Sequence, residues 1–392
     1  MTEKGVLPDG WMWVRFGDVV RQVKETTKDP EIDGLSRIVG LEHLDSESLP
    51  LRRWHELDDL PDGTSFTRTF RAGQVLFGKR RAYQRKVAVP AFDGVCSGDI
   101  LVFEPATDEL VSEFLPFMVQ SDGFSDHALG TSAGSLSPRT KWQELAKYKF
   151  GLPPLDLQRE ICEVLSAGQR QVDALEHALG AARGLRDAIV LRESDAVDHV
   201  PLGTILSSCD YGLSVAPQDA GELPILRMNN LDSEELRLDD MKWVQHDQVS
   251  ESDLLQTGDI LFNRTNSLEH VGKVALVDGL DNPATFASYL LRLRVDRESM
   301  LPEFVAAYLQ SAGGQRRIRA FITQGVSQAN VNATNLKKVR IPKPDLDAQR
   351  LIVDCWQGVR DLQRAIEDHC RESRSVLAAV REGLLAGDNR VR

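Results

Sequence analysis

The chain has 392 residues, 42% of them hydrophobic and 27% charged, the balance of a soluble globular protein too long for a single compact core. A formal charge of −12 at pH 7 argues against nucleic acid unless lysine and arginine are gathered locally. No apolar run approaches membrane-spanning length and the first residues lack a signal-peptide core, so the expected location is the cytoplasm. Five scattered cysteines (Cys96, Cys162, Cys209, Cys355 and Cys370) with no Cys-x-x-Cys pair read as reduced structural thiols rather than disulfides or zinc ligands.

Taken in order, residues 8 to 20 read as a short extended segment running into a helix. The stretch Ile38-Val39-Gly40-Leu41-Glu42-His43-Leu44 reads as a strand closed by a turn at Asp45-Ser46. Ala72-Gly73-Gln74-Val75-Leu76-Phe77-Gly78-Lys79-Arg80 is a glycine turn feeding a short buried strand with basic residues where it ends. Strands are expected at Val87 to Val89 and Asp99 to Phe103, and a helix at Phe114 to Ser121. A small polar loop, Gly134-Ser135-Leu136-Ser137, then leads to the proline strap Leu152-Pro153-Pro154, which blocks helix upstream. After the strap, Leu155-Asp156-Leu157-Gln158-Arg159-Glu160-Ile161 opens a long helix whose apolar positions keep a 3.5-residue period, with Arg186 interrupting it.

The second half repeats this order. Val200-Pro201-Leu202-Gly203-Thr204-Ile205 matches the first extended segment, and Leu-Asp-Ser-Glu occurs at both 44–47 and 231–234. Thr257-Gly258-Asp259-Ile260-Leu261-Phe262-Asn263-Arg264 matches the glycine turn and strand, Phe304 to Ser311 the helix, and Gly325-Val326-Ser327-Gln328 the polar loop. Strands are expected at Gly272 to Val277 and Ser288 to Val295. Ile341-Pro342-Lys343-Pro344 is the second strap, before Leu346-Asp347-Ala348-Gln349-Arg350-Leu351-Ile352. The chain therefore reads as a tandem duplication with a period of about 190 residues, far longer than a solenoid repeat. Each unit is an α+β domain followed by a long helix, and helices of about 38 residues would be roughly 57 Å long. One such helix cannot bury its apolar stripe alone, so the two are expected to pack on each other. The expected boundaries are a first domain at 1–154, a spacer helix at 155–195, a second domain at 196–345 and a second spacer helix at 346–392.

Charge is distributed unevenly in a way the total conceals. No acidic residue lies between Thr64 and Phe92, where Arg68, Arg71, Lys79, Arg80, Arg81, Arg85 and Lys86 fall. None lies between Phe304 and Pro344 either, where Arg316, Arg317, Arg319, Lys337, Lys338, Arg340 and Lys343 fall. Enzyme signatures are missing: no glycine-rich dinucleotide loop, P-loop, His-Glu-x-x-His or Gly-x-Ser-x-Gly, and the eight histidines do not pair at metal spacing. Asn282-Pro283-Ala284-Thr285-Phe286 differs from the Asn-Pro-Pro-aromatic methyltransferase motif in lacking the second proline, and reads as a turn.

The duplicated order of motifs resembles the specificity subunits of type I restriction-modification systems over nearly the whole chain. The fullest marks stand in the second half, whereas the first half has Gly78-Lys79-Arg80 where Asn263-Arg264 stands. The resemblance implies two target-recognition domains related by a pseudo-two-fold internal duplication, each reading half of a bipartite double-stranded DNA site. It further implies that the long helices pack as an antiparallel coiled coil and dock two methyltransferase subunits, through Leu165, Val172, Leu175, Leu179, Trp356, Val359, Ile366 and Leu377. S-adenosylmethionine would belong to the partner methyltransferase, cleavage would belong to a motor-nuclease restriction subunit, and this chain would bind no metal or cofactor and catalyse nothing. The alternatives are a methyltransferase-only or type IIB-like assembly, and a coiled-coil adaptor whose domains bind protein.

Candidate base readers follow from side-chain chemistry, since Arg or Lys suits guanine and Asn or Gln suits adenine. They are Lys79, Arg80, Arg81, Tyr83 and Arg85 in the first domain, and Asn263, Arg264, Asn266, Gln328, Asn330 and Asn332 in the second. Lys86, Arg139, Arg316, Arg317 and Arg319 are candidates for phosphate contacts, which position without specifying. Both basic surfaces are expected to face the same way.

Overall fold

The computed structural model describes residues 7–60, 63–132, 138–192, 197–232, 235–325 and 328–387. The Gly134 to Ser137 and Val326-Ser327 parts of the two polar loops fall outside them. Two compact units form, one from residues 1–174 with 369–392 and the other from 175–368. Each combines helices with small sheets, the α+β composition expected.

The first unit is built on an antiparallel sheet in the order Val20–Val23, Ile100–Pro105, Val75–Gly78, Val87–Ala88. Successive strand side chains point to opposite faces, so Val75, Phe77, Leu101 and Phe103 join a core with Phe16, Phe114 and Phe124. Leu76, Ile100 and Val102 face the other way and pack with Val39, Phe70 and Cys96 of a second sheet. A sheet covered on both faces reads as continuous apolar runs, which is why Val75-Leu76-Phe77 lacks polar alternation. Burial also pushes the Cys96 thiol up to about 12.

The second unit repeats the plan, with the order Leu206–Tyr211, Leu290–Val295, Ile260–Asn263, Val274–Leu276. Ile260 and Phe262 enter one core and Leu261 the other. A parallel pair recurs in each second sheet, Arg37–Val39 with Gly94–Cys96 and Leu223–Leu226 with Thr285–Phe286.

Two expectations change in detail. The strand begun at Ile38 ends at Val39, because a 3₁₀ turn, Leu41–His43, starts at once and is capped by the Gly40 N–H donating to His43 Nδ1 (2.9 Å). The helices Phe114–Gln120 and Pro302–Gln310 are each followed by another, Asp122–Gly130 and Ala312–Arg319. Ser121 and Ser311 cap these second helices by accepting from Phe124 N–H and Gly314 N–H, a serine N-cap within an apolar helical run.

The long helices run Leu155–Arg192 and Leu346–Leu385. In the first unit Leu377 packs so closely on Gly168 that a Cβ there would lie 2.6 Å from Leu377 Cδ1. In the second unit Arg183 pairs with Glu367 at 3.4 Å and Arg186 lies 5.0 Å over the Trp356 ring, so the helical segments run antiparallel there. Arg186, the residue that interrupts the heptad pattern, is thus accommodated as a cation over an indole face. Each helix is also tied to its own domain. Arg52 pairs with Asp173 (2.6 Å) in the first unit, and Arg364 Nε donates to Glu235 (2.7 Å) in the second, at an offset that places Arg364 where Asp173 stands.

The partner-docking residues expected on these helices need correction. Leu165, Val172 and Trp356 are buried and Leu377 packs on the first unit's core, so their apolar surface is used within the chain. Leu175, Leu179, Val359 and Ile366 are half-buried. Among the described residues, the large apolar side chains these helices expose are Leu155, Val164, Leu185, Leu351, Leu362 and Val376.

Candidate nucleic-acid interface

In the first unit the strand Val75–Gly78 delivers Lys79 into a loop held by backbone hydrogen bonds. Lys79 N–H donates to Asp99 O (3.0 Å), Thr140 N–H to Lys79 O (3.0 Å) and Arg81 N–H to Pro138 O (2.8 Å), while Arg80 bridges Arg139. A 3₁₀ turn, Ala82–Gln84, follows between two arginines in the left-handed region, Arg81 (φ 54°) and Arg85 (φ 49°). Such a conformation costs a non-glycine residue about 1–3 kcal/mol and persists only where the surroundings fix it. Here Arg85 supplies the fixing, donating to Gln120 O (2.8 Å) and the Asp122 carboxylate (2.6 Å) and pairing with Glu47. Arg81 and Tyr83 are left exposed at the tip.

Most other basic candidates of this unit are already engaged. Arg139 donates through Nε (3.0 Å) and Nη2 (3.3 Å) to Asp99, and Arg80 pairs with the same carboxylate at 3.6 Å. Lys86 Nζ donates to Leu41 O. Burial, then the nearby Arg68 charge, holds the Lys79 ammonium below its ordinary pKa, against the pull of Asp99.

In the second unit the corresponding loop begins at Arg264. Its N–H donates to Tyr289 O (3.0 Å), its carbonyl accepts from Val331 N–H (2.8 Å), and Thr265 pairs with Asn330 across a short antiparallel ladder. The guanidinium lies 4.9 Å over the Tyr211 ring and donates through Nη1 to Ser288 O (3.1 Å). Asn330 Nδ2 donates to Thr265 Oγ1 (2.6 Å). Asn266 is half-buried and Gln328 exposed, while Asn332 caps the turn Ala333–Leu336 by accepting from Asn335 N–H. Asn263 is the exception among the candidate readers. It ends a strand paired on both sides, its side chain is fully buried, and its amide does not reach the surface.

The hydrogen bonds superimpose the two loops residue by residue. Lys79 matches Arg264, Arg80 matches Thr265, Arg139 matches Asn330, and Asp99 matches Tyr289. The backbone pairing corresponds at all four places and the side chain differs at every one. Reading the sequence missed Asp99, Tyr289 and Tyr211. The first two were accessible in principle, since each stands just before a matched strand, Ile100–Pro105 or Leu290–Val295.

Arg316, Arg317 and Arg319 lie on the helix Ala312–Arg319, all exposed and, among the described residues, with no ion-pair partner. Away from these loops, Glu42, His43 and His55 bring possible metal-ligating atoms within 4.8 Å of one another, which their sequence spacing did not suggest. The set does not fit a metal. His43 Nδ1 already accepts from Gly40 N–H, so the neutral ring carries its proton on Nε2 and has no lone pair free. In the second unit Asn230 Oδ1 accepts from Arg227 N–H (2.9 Å) at the matching place, so a cap is the shared role.

Comparison with known proteins bears on the second half first. Residues 209–369 match the model of the type I restriction modification DNA specificity domain. The chain is 27% identical over 192 residues to the type I restriction enzyme EcoDI specificity subunit of Escherichia coli, covering 47% of this chain and 42% of that one. It is 25% identical over 289 residues to the EcoKI specificity subunit of Escherichia coli strain K12, covering 67% and 60%. The chain is thus similar to the specificity subunits of type I restriction-modification systems. The matches span about half the length of these specificity subunits. A solved chain of a type I R-M system shares the fold over 98% of this chain and 99% of its own, with a TM-score of 0.58 at 20% identity. The family match covers Arg264, Tyr289 and Asn330 and does not extend to Lys79, Asp99 and Arg139 in the first half.

Proposed function

We propose that this chain reads DNA sequence as a scaffold without chemistry of its own. The recognition domains are residues 1–154 and 196–345, each contacting one half of a bipartite double-stranded site. The helices Leu155–Arg192 and Leu346–Leu385 act as an antiparallel coiled-coil spacer and present their outer apolar side chains to two methyltransferase subunits. Adenine methylation by those S-adenosylmethionine-dependent partners and cleavage by a motor-nuclease subunit complete the assembly; a methyltransferase-only or type IIB-like complex would use the same reading surface.

One observation carries this reading. Two copies of one loop keep the same backbone hydrogen bonds while the side chains at 79/264, 80/265, 99/289 and 139/330 differ throughout. Duplicated domains that read two unlike half-sites need a common docking frame and different base-edge chemistry. The net charge of −12 does not oppose this, because the second unit's Arg316, Arg317 and Arg319 are exposed on one short helix. A hydroxyl-radical footprint of the full chain, with its methyltransferase bound, tests the proposal. Two protected patches about one helical turn (~34–36 Å) apart are expected, and weak uniform protection of every duplex contradicts it.

A further inference from the structure

The basic loop of the first unit contains a carboxylate at its centre. Asp99 stands where the second unit has Tyr289, and it takes both Arg139, through Nε and Nη2, and Arg80. An acidic side chain in the middle of a phosphate-binding surface would weaken that surface, so its place there needs a reason. Geometry supplies one. A guanidinium has five N–H donors, and engaging Nε–H and one Nη2–H on a carboxylate leaves the outer Nη1/Nη2 fork free. That fork is the pair of donors that fits guanine O6 and N7.

We infer that Asp99 is a positioning residue of the first domain's reading site, fixing Arg139 for bidentate recognition of a guanine. This rests on the DNA-reading function proposed above. Its second effect is electrostatic: one carboxylate between two guanidiniums lowers the local charge by one, which weakens sequence-independent attraction to phosphate. Asp99 therefore trades non-specific affinity for selectivity. In the second unit, stacking on Tyr211 and the bond to Ser288 O hold Arg264 without a carboxylate, so the two loops fix an arginine by different means.

The test uses the full chain with its methyltransferase subunit bound, and a duplex chosen by the wild-type complex from a random pool. Asp99→Asn keeps the shape and removes the charge. We expect discrimination at one guanine of the first half-site to fall about 10-fold, the size of a typical bidentate contact. Affinity for unrelated duplex should rise with a salt slope steeper by about one, and the second half-site should read as before. Asp99→Glu should restore part of the discrimination, which a merely structural role would not require. Wild type that selects a site while Asp99→Asn reads it with unchanged discrimination and salt slope overturns the assignment alone. Loss of thermal stability in Asp99→Asn with discrimination intact also overturns it. Wild type that selects no sequence overturns the DNA-reading function and this assignment with it.

Discussion

Gln158 accepts a hydrogen bond from the backbone N–H of Val111 at 2.8 Å, and its amide nitrogen donates to Glu109 O and Pro153 O. Gln349 repeats the arrangement, accepting from Leu301 N–H (2.7 Å) and donating to Ser299 O and Pro344 O. The glutamine of each repeated Leu-Asp-x-Gln-Arg stretch is therefore a buried clamp joining the strap, the start of the long helix and the loop before the domain's own helix. Removing it strands a buried donor. Gln158→Ala or Gln349→Ala is expected to cost about 1–3 kcal/mol for the orphaned group, read as a lowered urea midpoint at unchanged m-value. Retained stability in both variants would mean that the motif serves a surface role instead.

A charged cluster in the second unit gives a larger expected effect. Asp259 is buried, accepts from Arg294 Nε (2.7 Å) and lies 4.0 Å from buried Arg292, which itself donates to Asp210 (2.8 Å). The Asp259 bond raises the Arg294 pKa despite partial burial. Asp259→Ala leaves a buried guanidinium short of its counter-charge and is expected to destabilise the protein by about 3–5 kcal/mol. Chemical denaturation measures it, and a loss below about 1 kcal/mol would contradict the cluster's structural role.

Acid sensitivity should trace in part to His43. Burial holds its pKa below 6.5, outweighing the opposing charge of Glu42, and the neutral ring accepts the Gly40 N–H as a cap. Below the unfolded-state pKa the unfolded chain binds the proton more readily, so this contribution is complete above about pH 6.5 and is lost as pH falls toward the lower folded value. His43→Asn copies Asn230 and should keep the cap while removing that part of the pH dependence. Stability–pH curves of the two proteins that stay parallel below pH 6.5 would contradict the assignment.

Arginines in the second unit should separate into two kinds. Arg264→Ala is expected to relax preference at one position of one half-site, a change of about 1–3 kcal/mol confined to that base pair. Arg317→Ala should weaken binding to all sequences alike and lower the salt slope by about one. Binding titrations over a salt series distinguish them, and identical behaviour of the two variants would contradict the division.

Much of this architecture was legible because duplication lets each half check the other. The straps, the glycine turns at Gly73 and Gly258 and the heptad helices were visible from proline, glycine and apolar spacing. What escaped was set by three-dimensional pairing. Asp99 and Tyr289 become partners of Lys79 and Arg264 only when strands far apart in sequence align. Asparagine is polar and suggests a surface residue, but both faces of this sheet are covered, and Asn263 follows Leu261 onto a packed face. The Ser121 and Ser311 caps were read as helix ends, although a serine can close one helix and open the next.

The central claim is that two matched loops read two different half-sites at a fixed separation. Selection of duplexes from a random pool by the full chain with its methyltransferase, followed by sequencing, tests it most directly. The predicted result is a bipartite motif, two specified stretches divided by a constant number of unspecified base pairs, with Arg264→Ala degrading one stretch only. A single continuous motif, or no enrichment at all, would contradict it.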